Sequence, residues 1–164
     1  MTSLTLRKQA TSVLDLCRAN GLLVATAESC TGGLVAGALT EIAGSSDVVD
    51  CGFVTYSNEA KTEMLGVPEA LIAAHGAVSE PVAAAMAAGA LANSHADVAV
   101  SVTGVAGPGG GTPEKPVGLV WFGCAVRAGA VETVSHMFPG NRAAVRAASV
   151  AVAFDLFLGA RAGP

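Results

Sequence analysis

Three consecutive segments in the first third of the chain restrict its fold more than any other feature. Leu22-Leu23-Val24-Ala25 is a short, unbroken apolar run; Glu28-Ser29-Cys30-Thr31-Gly32-Gly33 follows as a small, glycine-bearing turn; and Leu34-Val35-Ala36-Gly37-Ala38-Leu39 resumes the apolar character over a helical length. A run of that length bounded by turn residues reads as a buried strand, and the longer one after it as a helix. The expected elements are a strand from Leu22 to Ala27, a helix from Gly32 to Ile42, a turn at Ala43-Gly44-Ser45-Ser46-Asp47 and a strand from Val48 to Tyr56. Such a β-α-β unit has parallel strands and a right-handed crossover.

The flanking sequence extends this pattern. Leu6, Ala10, Val13, Leu14 and Cys17 recur at helical spacing between Leu4 and Asn20, and Gly21 stands where a C-terminal cap belongs. Ser57 can cap a helix from Asn58 to Leu65, which Gly66 ends. Pro68 opens another that Gly76 ends, and Ser79 precedes a third with its body from Pro81 to Asn93. That last body carries small residues on every face, so it is expected to pack closely rather than to be solvated. Asp97 to Thr103 reads as a core strand, and Gly104 to Pro113 as a loop whose glycines and prolines defeat regular structure. Val117 to Arg127 and Val131 to Phe138 form a hairpin about Ala128-Gly129-Ala130, and Asn141 to Leu158 is a closing helix. The expected architecture is α/β, a three-layer α/β/α sandwich on a mixed, mainly parallel sheet, and one domain over residues 1–164.

Composition excludes several classes of function. Hydrophobic residues make up 52% of the chain and charged residues only 13%, with a mean hydropathy of +0.56. The apolar residues are nevertheless dispersed, and the run from Val82 to Ala92 falls short of the roughly 20 residues a bilayer span requires. No membrane association is expected. Low surface charge leaves apolar area for a partner subunit, which predicts a homo-oligomer, a dimer or higher. The N-terminus lacks the apolar core of a secretory signal, so a cytoplasmic location is expected. Cys17, Cys30, Cys51 and Cys124 are scattered and unaccompanied by histidines at ligand spacing, so neither disulfides nor a metal is expected. A net charge of -4 without any basic cluster argues against nucleic acid as a partner.

In an α/β sheet, ligands sit beyond the carboxyl ends of the strands. Four segments should meet there: the turn after Ala27, Thr55-Tyr56-Ser57-Asn58, the loop from Thr103, and the entry to the last helix. Ser29 lies where free N–H groups of a helical turn can stabilise an oxyanion or bind a phosphate, although Ser29 or Thr31 serves equally as a helix cap. Lys61 falls in the first turns of a helix, against the macrodipole, which favours its neutral form and suits it to be a general base; a solvated surface lysine is the alternative. Tyr56, the only tyrosine, ends the neighbouring strand and either assists that lysine or substrate or is an ordinary strand-end residue. Cys30 is the rival nucleophile, since a helix N-terminus lowers a thiol's pKa. Glu28 either orients Lys61 or satisfies backbone donors. The glycine loop offers N–H groups to a phosphate or carbonyl, or is purely structural. It is no Walker sequence, because no Gly-Lys-Ser or Gly-Lys-Thr follows. Arg142 and Arg146 share one helix face, available to a phosphate or to solvent. His75, His95 and His136 receive no role.

Five motifs in order carry a family resemblance. Glu28-Ser29-Cys30-Thr31-Gly32-Gly33, Gly52-Phe53-Val54-Thr55-Tyr56-Ser57-Asn58-Glu59-Ala60-Lys61, His75-Gly76-Ala77-Val78-Ser79-Glu80, Val102 to Gly111 and Glu114-Lys115-Pro116-Val117-Gly118 together resemble the CinA C-terminal family, whose enzymes include nicotinamide-nucleotide amidases of the PncC type. The resemblance runs from about Leu4 to about Leu158 and implies a stand-alone amidase without the molybdopterin-binding-like domain of longer CinA proteins. It implies metal- and cofactor-free hydrolysis of a pyridine nucleotide, nicotinamide mononucleotide, to nicotinate mononucleotide and ammonia. Carried over by position, it makes Ser29 the nucleophile, Lys61 the base and Tyr56 the third catalytic group. Glu28, Cys30, Thr31, Gly32, Gly33, Asn58, Thr103, Gly104, Gly107, Lys115 and Arg142 become the expected substrate-binding set, with the phosphate on the glycine loop, Lys115 or Arg142. Asp50-Cys51 departs from the acidic residue and arginine expected before Gly52, which bears on substrate affinity or assembly. The alternative is a regulatory module of the competence- or damage-inducible type that binds a nucleotide without turnover.

Overall fold

Apolar period and capping chemistry account for the helices of the computed structural model, which describes residues 2–160. Helix α1 (Leu4–Ala19) starts where Ser3 Oγ accepts from the Leu6 N–H and buries Ala10, Val13, Leu14 and Cys17. Strand β1 (Val24–Glu28), helix α2 (Leu34–Thr40) and strand β2 (Val49–Val54) form the first crossover, with a 3-10 turn at Ser45–Asp47 before β2. Helices α3 (Asn58–Leu65), α4 (Glu69–His75) and α5 (Glu80–Ala92) follow, then strands β3 (Val98–Gly104), β4 (Leu119–Val126) and β5 (Val131–Met137), and helix α6 (Arg142–Gly159). Ser57 caps α3 by accepting from the Ala60 N–H, and Asn141 caps α6 by accepting from that of Ala144.

The sheet order is β2-β1-β3-β4-β5. β2, β1 and β3 are parallel, β4 is antiparallel to β3, and β5 is antiparallel to β4, so four of the five strands run the same way. Helices α1, α2 and α6 cover one face and α3, α4 and α5 the other, giving the expected three layers.

The two faces differ in side-chain size, which explains the alanine-rich helix. Successive strand residues point to opposite faces. Val24, Val98, Val100, Val102, Phe122 and Cys124 build the core under α1, α2 and α6. Ala25, Ala27, Ala99 and Ala125 meet α5 on the other side. There Ser101 Oγ donates to the Ala83 carbonyl at 2.6 Å, and a Cβ on Gly123 would stand 2.6 Å from that same oxygen. Helix and sheet approach closely at this point because Ala83 meets Ser101 and Gly123 there, with no large side chain between them.

Several boundaries depart from those expected of the sequence, and three have a clear physical cause. β1 begins at Val24 because Leu23 is bound outside the ladder, its N–H on the Asp97 carboxylate and its carbonyl accepting from the Asp97 N–H; it extends to Glu28, which pairs with both Val54 and Val102. α2 begins at Leu34, not Gly32, because Gly32 and Gly33 adopt φ of +59° and +100°, a left-handed backbone that only glycine takes without strain. β2 stops at Val54, releasing Thr55 and Tyr56 from the ladder.

Candidate active site

The turn from Ser29 to Gly33 is held from three directions. The Ser29 N–H donates to the Val102 carbonyl of β3 at 2.9 Å, the Thr55 N–H donates to the Glu28 carbonyl at 2.8 Å, and the Gly32 N–H closes the turn on the Ser29 carbonyl at 3.0 Å. Glu28 is fully buried, and its carboxylate accepts from the Val35 and Ala36 N–H groups at 2.9 and 3.0 Å. It is therefore the anion at the N-terminus of α2, where the macrodipole and unpaired N–H groups favour a negative charge. Of its two expected uses the geometry takes the backbone one. The N–H groups of Cys30, Thr31 and Gly33 have no backbone or side-chain acceptor among the described residues.

Lys61 projects from the first turn of α3 to the carboxyl ends of β1 and β2 and is 1% exposed. Its Nζ lies 3.1 Å from Ser29 Oγ, 2.9 Å from the Thr55 carbonyl and 3.5 Å from that of Ser57. No carboxylate pairs with it among the described residues. Burial pushes its ammonium below the usual lysine range. The solvated lysine is excluded by the burial. A neutral amine here gives its N–H groups to the two carbonyls and turns its lone pair to the serine hydroxyl.

Tyr56 is 62% exposed and stands outside this dyad. Its hydroxyl accepts from Arg142 at 3.1 Å, and Arg142 also donates to the Gly107 carbonyl at 2.9 Å, so the first turn of α6 links the end of β2 to the glycine loop. Thr103 Oγ1 donates to the Ala77 carbonyl at 2.9 Å, holding the α4–α5 connection against the end of β3. Lys115 Nζ donates to the His75 carbonyl in the same connection. Gly104 has no room for a side chain, because a Cβ would meet Val120 Cγ2 at 2.6 Å. Asn58 is exposed at the first position of α3.

The structure separates Cys30 from its neighbour. Its side chain belongs to the core under α1, α2 and α6, and burial pushes the thiol up to about 11, opposite to what a reactive cysteine requires. Thr31 is fully buried, and its hydroxyl has no partner among the described residues. His75 contributes only its carbonyl, the His95 backbone N–H donates to the Asp50 carboxylate, and His136 of β5 stacks on Phe138. Cys51 packs at the edge of the α3–α5 core, away from the dyad. Among the described residues no group of histidine, cysteine and carboxylate side chains is placed to hold a metal, and no helix is long and apolar enough to cross a membrane.

Arg146, one turn after Arg142 and expected on the same helix face to meet a phosphate or solvent, instead turns onto the segment that carries Ser29. Its Nε and Nη2 donate to the Cys30 and Thr31 carbonyls at 3.1 and 3.2 Å. The i, i+4 spacing of the two arginines was the available signal.

The architecture and these motifs match known proteins. The model of the CinA C-terminal domain matches residues 6–160. The chain is 53% identical to nicotinamide-nucleotide amidohydrolase PncC of Escherichia coli, covering 94% of both chains. It is 59% identical to a CinA-like protein of Mycolicibacterium gilvum over 87% of its own length, and spans about a third, 34%, of that longer relative. The crystal structure of competence/damage inducible protein CihA from Agrobacterium tumefaciens superposes with a TM-score of 0.94 at 48% identity, covering 96% of each chain. With the family model spanning nearly every described residue and the fold reproduced in a close relative, the chain belongs to the CinA C-terminal domain family.

Proposed function

We propose that the chain hydrolyses the carboxamide of nicotinamide mononucleotide, giving nicotinate mononucleotide and ammonia, with Ser29 as nucleophile and Lys61 as general base. The observation that carries this reading is the 3.1 Å approach of a buried, carboxylate-free Lys61 Nζ to Ser29 Oγ at the carboxyl end of β1. The name of the Escherichia coli relative, a nicotinamide-nucleotide amidohydrolase, supports the substrate class, and the mononucleotide is the member implied by the family resemblance.

Neutral Lys61 takes the Ser29 hydroxyl proton as Oγ adds to the carboxamide carbon. The carbonyl electron pair moves to oxygen, and the unpaired N–H groups of the turn from Cys30 to Gly33 stabilise that oxyanion. The oxyanion collapses, the C–N bond breaks, and the Lys61 ammonium returns its proton to the departing nitrogen, so that ammonia leaves. Water then attacks the Ser29 ester with Lys61 again as base, releasing the acid and restoring the serine. Tyr56 and Arg142 form the outer wall of the cleft, and Arg142 is the phosphate donor of choice because its guanidinium is already presented at the cleft mouth. Lys115 and the glycine loop supply the remaining donors. Low surface charge and the exposed side chains of Leu34, Val54 and Tyr56 support a homo-oligomer, which a single monomeric species in sedimentation at micromolar concentration would contradict.

A regulatory module that binds the nucleotide without turnover has no use for a buried, unpaired lysine, which costs stability. Ammonia release from nicotinamide mononucleotide, measured with purified protein and chelator, tests the reading. Turnover in wild type and its loss in Ser29→Ala are expected; undiminished turnover in Ser29→Ala overturns the mechanism, and none in wild type favours the regulatory module.

A further inference from the structure

Arg146 is half-buried and has no carboxylate partner among the described residues. Its two contacts, Nε to the Cys30 carbonyl and Nη2 to the Thr31 carbonyl, both fall on the turn that carries Ser29. Capping does not require this, because the Leu34 N–H is already taken by the Thr31 carbonyl and those of Val35 and Ala36 by Glu28. Nor does a side chain intervene: a Cβ on Gly32 would stand 3.4 Å from Nη2.

The geometry of a planar trans peptide gives these contacts a consequence. Its C=O and N–H point in opposite directions. The Cys30 carbonyl shares a peptide unit with the Thr31 N–H, and the Thr31 carbonyl with the Gly32 N–H. Fixing both carbonyls on one guanidinium therefore aims both N–H groups away from α6. The Gly32 N–H is consumed by the Ser29 carbonyl, whereas the Thr31 N–H has no acceptor among the described residues. A cation on the Cys30 oxygen also polarises that unit and strengthens its N–H as a donor.

We propose that Arg146 is a positioning residue for the amide hydrolysis: it clamps the two carbonyls of the nucleophile turn so that the Thr31 N–H meets the oxyanion formed when Ser29 adds to its substrate. It touches neither the substrate nor the reacting atoms. The inference rests on the Ser29 reading of the site, and sets Arg146 apart from Arg142, which faces the cleft mouth.

The test compares wild type, Arg146→Ala and Arg146→Lys, the lysine variant keeping a cation and stem should the alanine variant fail to fold. Nicotinamide mononucleotide turnover is followed together with the rate at which an alkyl fluorophosphonate labels Ser29, whose phosphoryl oxygen makes the same demand on the oxyanion donor. In Arg146→Ala, kcat and labelling rate should both fall about 10- to 100-fold. KM should stay within about twofold and the pH midpoint of kcat should not move, because this interaction is made only in the transition state. Methylguanidinium should restore Arg146→Ala and not Ser29→Ala. Arg146→Lys should retain a partial defect, since an ammonium cannot span two carbonyls as a fork does. Unchanged kcat and labelling, a rise in KM alone, or a loss that methylguanidinium leaves in place would each overturn the clamp. A wild type labelled at Ser29 that releases no ammonia would sink the nucleotide-amide reading, while the labelling rates would still decide the role of Arg146. A wild type that is neither labelled nor active would remove the nucleophile and the clamp together.

Discussion

Lys61 Nζ stands 3.1 Å from Ser29 Oγ and 2.9 Å from the Thr55 carbonyl, so one buried amine joins the carboxyl ends of β1 and β2. The contact exists because β2 ends at Val54, which leaves the Thr55 carbonyl to Lys61, and because Ser29 begins a turn rather than a helix. Catalysis by this pair requires the neutral amine, and burial pushes Lys61 below its ordinary value of 10.5. Accordingly kcat should rise with pH along a limb whose midpoint lies below 10.5. Lys61→Met should lose about 10²- to 10⁴-fold in kcat and show no such limb. A pH profile of ammonia release reads both, and a midpoint unaffected by changes at Lys61 would assign the base elsewhere.

The same burial makes a prediction about stability. Because the folded pKa is lowered, the folded state binds fewer protons than the unfolded state between that lowered value and 10.5. Stability therefore rises with pH across this window, and the cost of holding Lys61 is fully present below it. Lys61→Met should be more stable than wild type at neutral pH, with the difference shrinking as pH approaches 10. Urea unfolding of both proteins at two pH values measures the trend; a difference that grows with pH has the wrong sign.

Cys30 is adjacent to Ser29, the proposed nucleophile, in sequence, yet its side chain lies in the core under α1, α2 and α6. With its thiol pushed up to about 11 and its side chain in the core, it is protonated and shielded at neutral pH. Cys30→Ala should keep kcat within about threefold while losing about 1 kcal/mol of stability from the small cavity. In the native protein iodoacetamide should modify the half-buried Cys51 before Cys30, as peptide mass mapping would reveal.

These cases mark what the residues alone disclosed. The strand and helix order was legible because apolar period, Ser57, Gly66 and the hairpin at Ala128-Gly129-Ala130 are local signals. The meeting of Ser29 with Lys61 was expected from the rule that sites lie beyond strand ends. Three features were hidden. The left-handed backbone at Gly32 and Gly33 delayed α2 by two residues, the fate of Glu28 depended on which helix start it would face, and Arg146, marked in sequence only by its spacing from Arg142, acts across 116 residues of chain on a carbonyl that no side-chain pattern names.

Glu28 accepts from two N–H groups of α2 in a fully buried setting, so Glu28→Gln exchanges one accepting oxygen for an NH₂ facing a backbone donor. Hydrogen bonds to a charged group contribute about 1.5–3 kcal/mol, and an unsatisfied buried donor costs a comparable amount. The variant should lose about 2 kcal/mol, a fall in Tm of about 4–8 °C for a chain of this size. Since α2 and the Ser29 turn are continuous, kcat should fall with it. Calorimetry showing an unchanged Tm would mean that the carboxylate does not hold the helix start.

Close approach of α5 to the sheet predicts an asymmetry among glycines. A Cβ at Gly123 would stand 2.6 Å from the Ala83 carbonyl and 2.7 Å from Ser101 Oγ, and the first of these is backbone that cannot swing aside. Gly123→Ala should therefore push the helix off the sheet, costing about 1–3 kcal/mol by overpacking and lowering Tm by about 2–12 °C. Gly37, by contrast, is exposed within α2 and would meet nothing within 4 Å. There the same substitution removes only the conformational freedom of glycine, and Gly37→Ala should raise stability by about 0.5–1 kcal/mol. Thermal melts of the two variants should move in opposite directions. If Gly123→Ala melts with wild type, the small side chains of β1, β3 and β4 are not what sets the distance between α5 and the sheet.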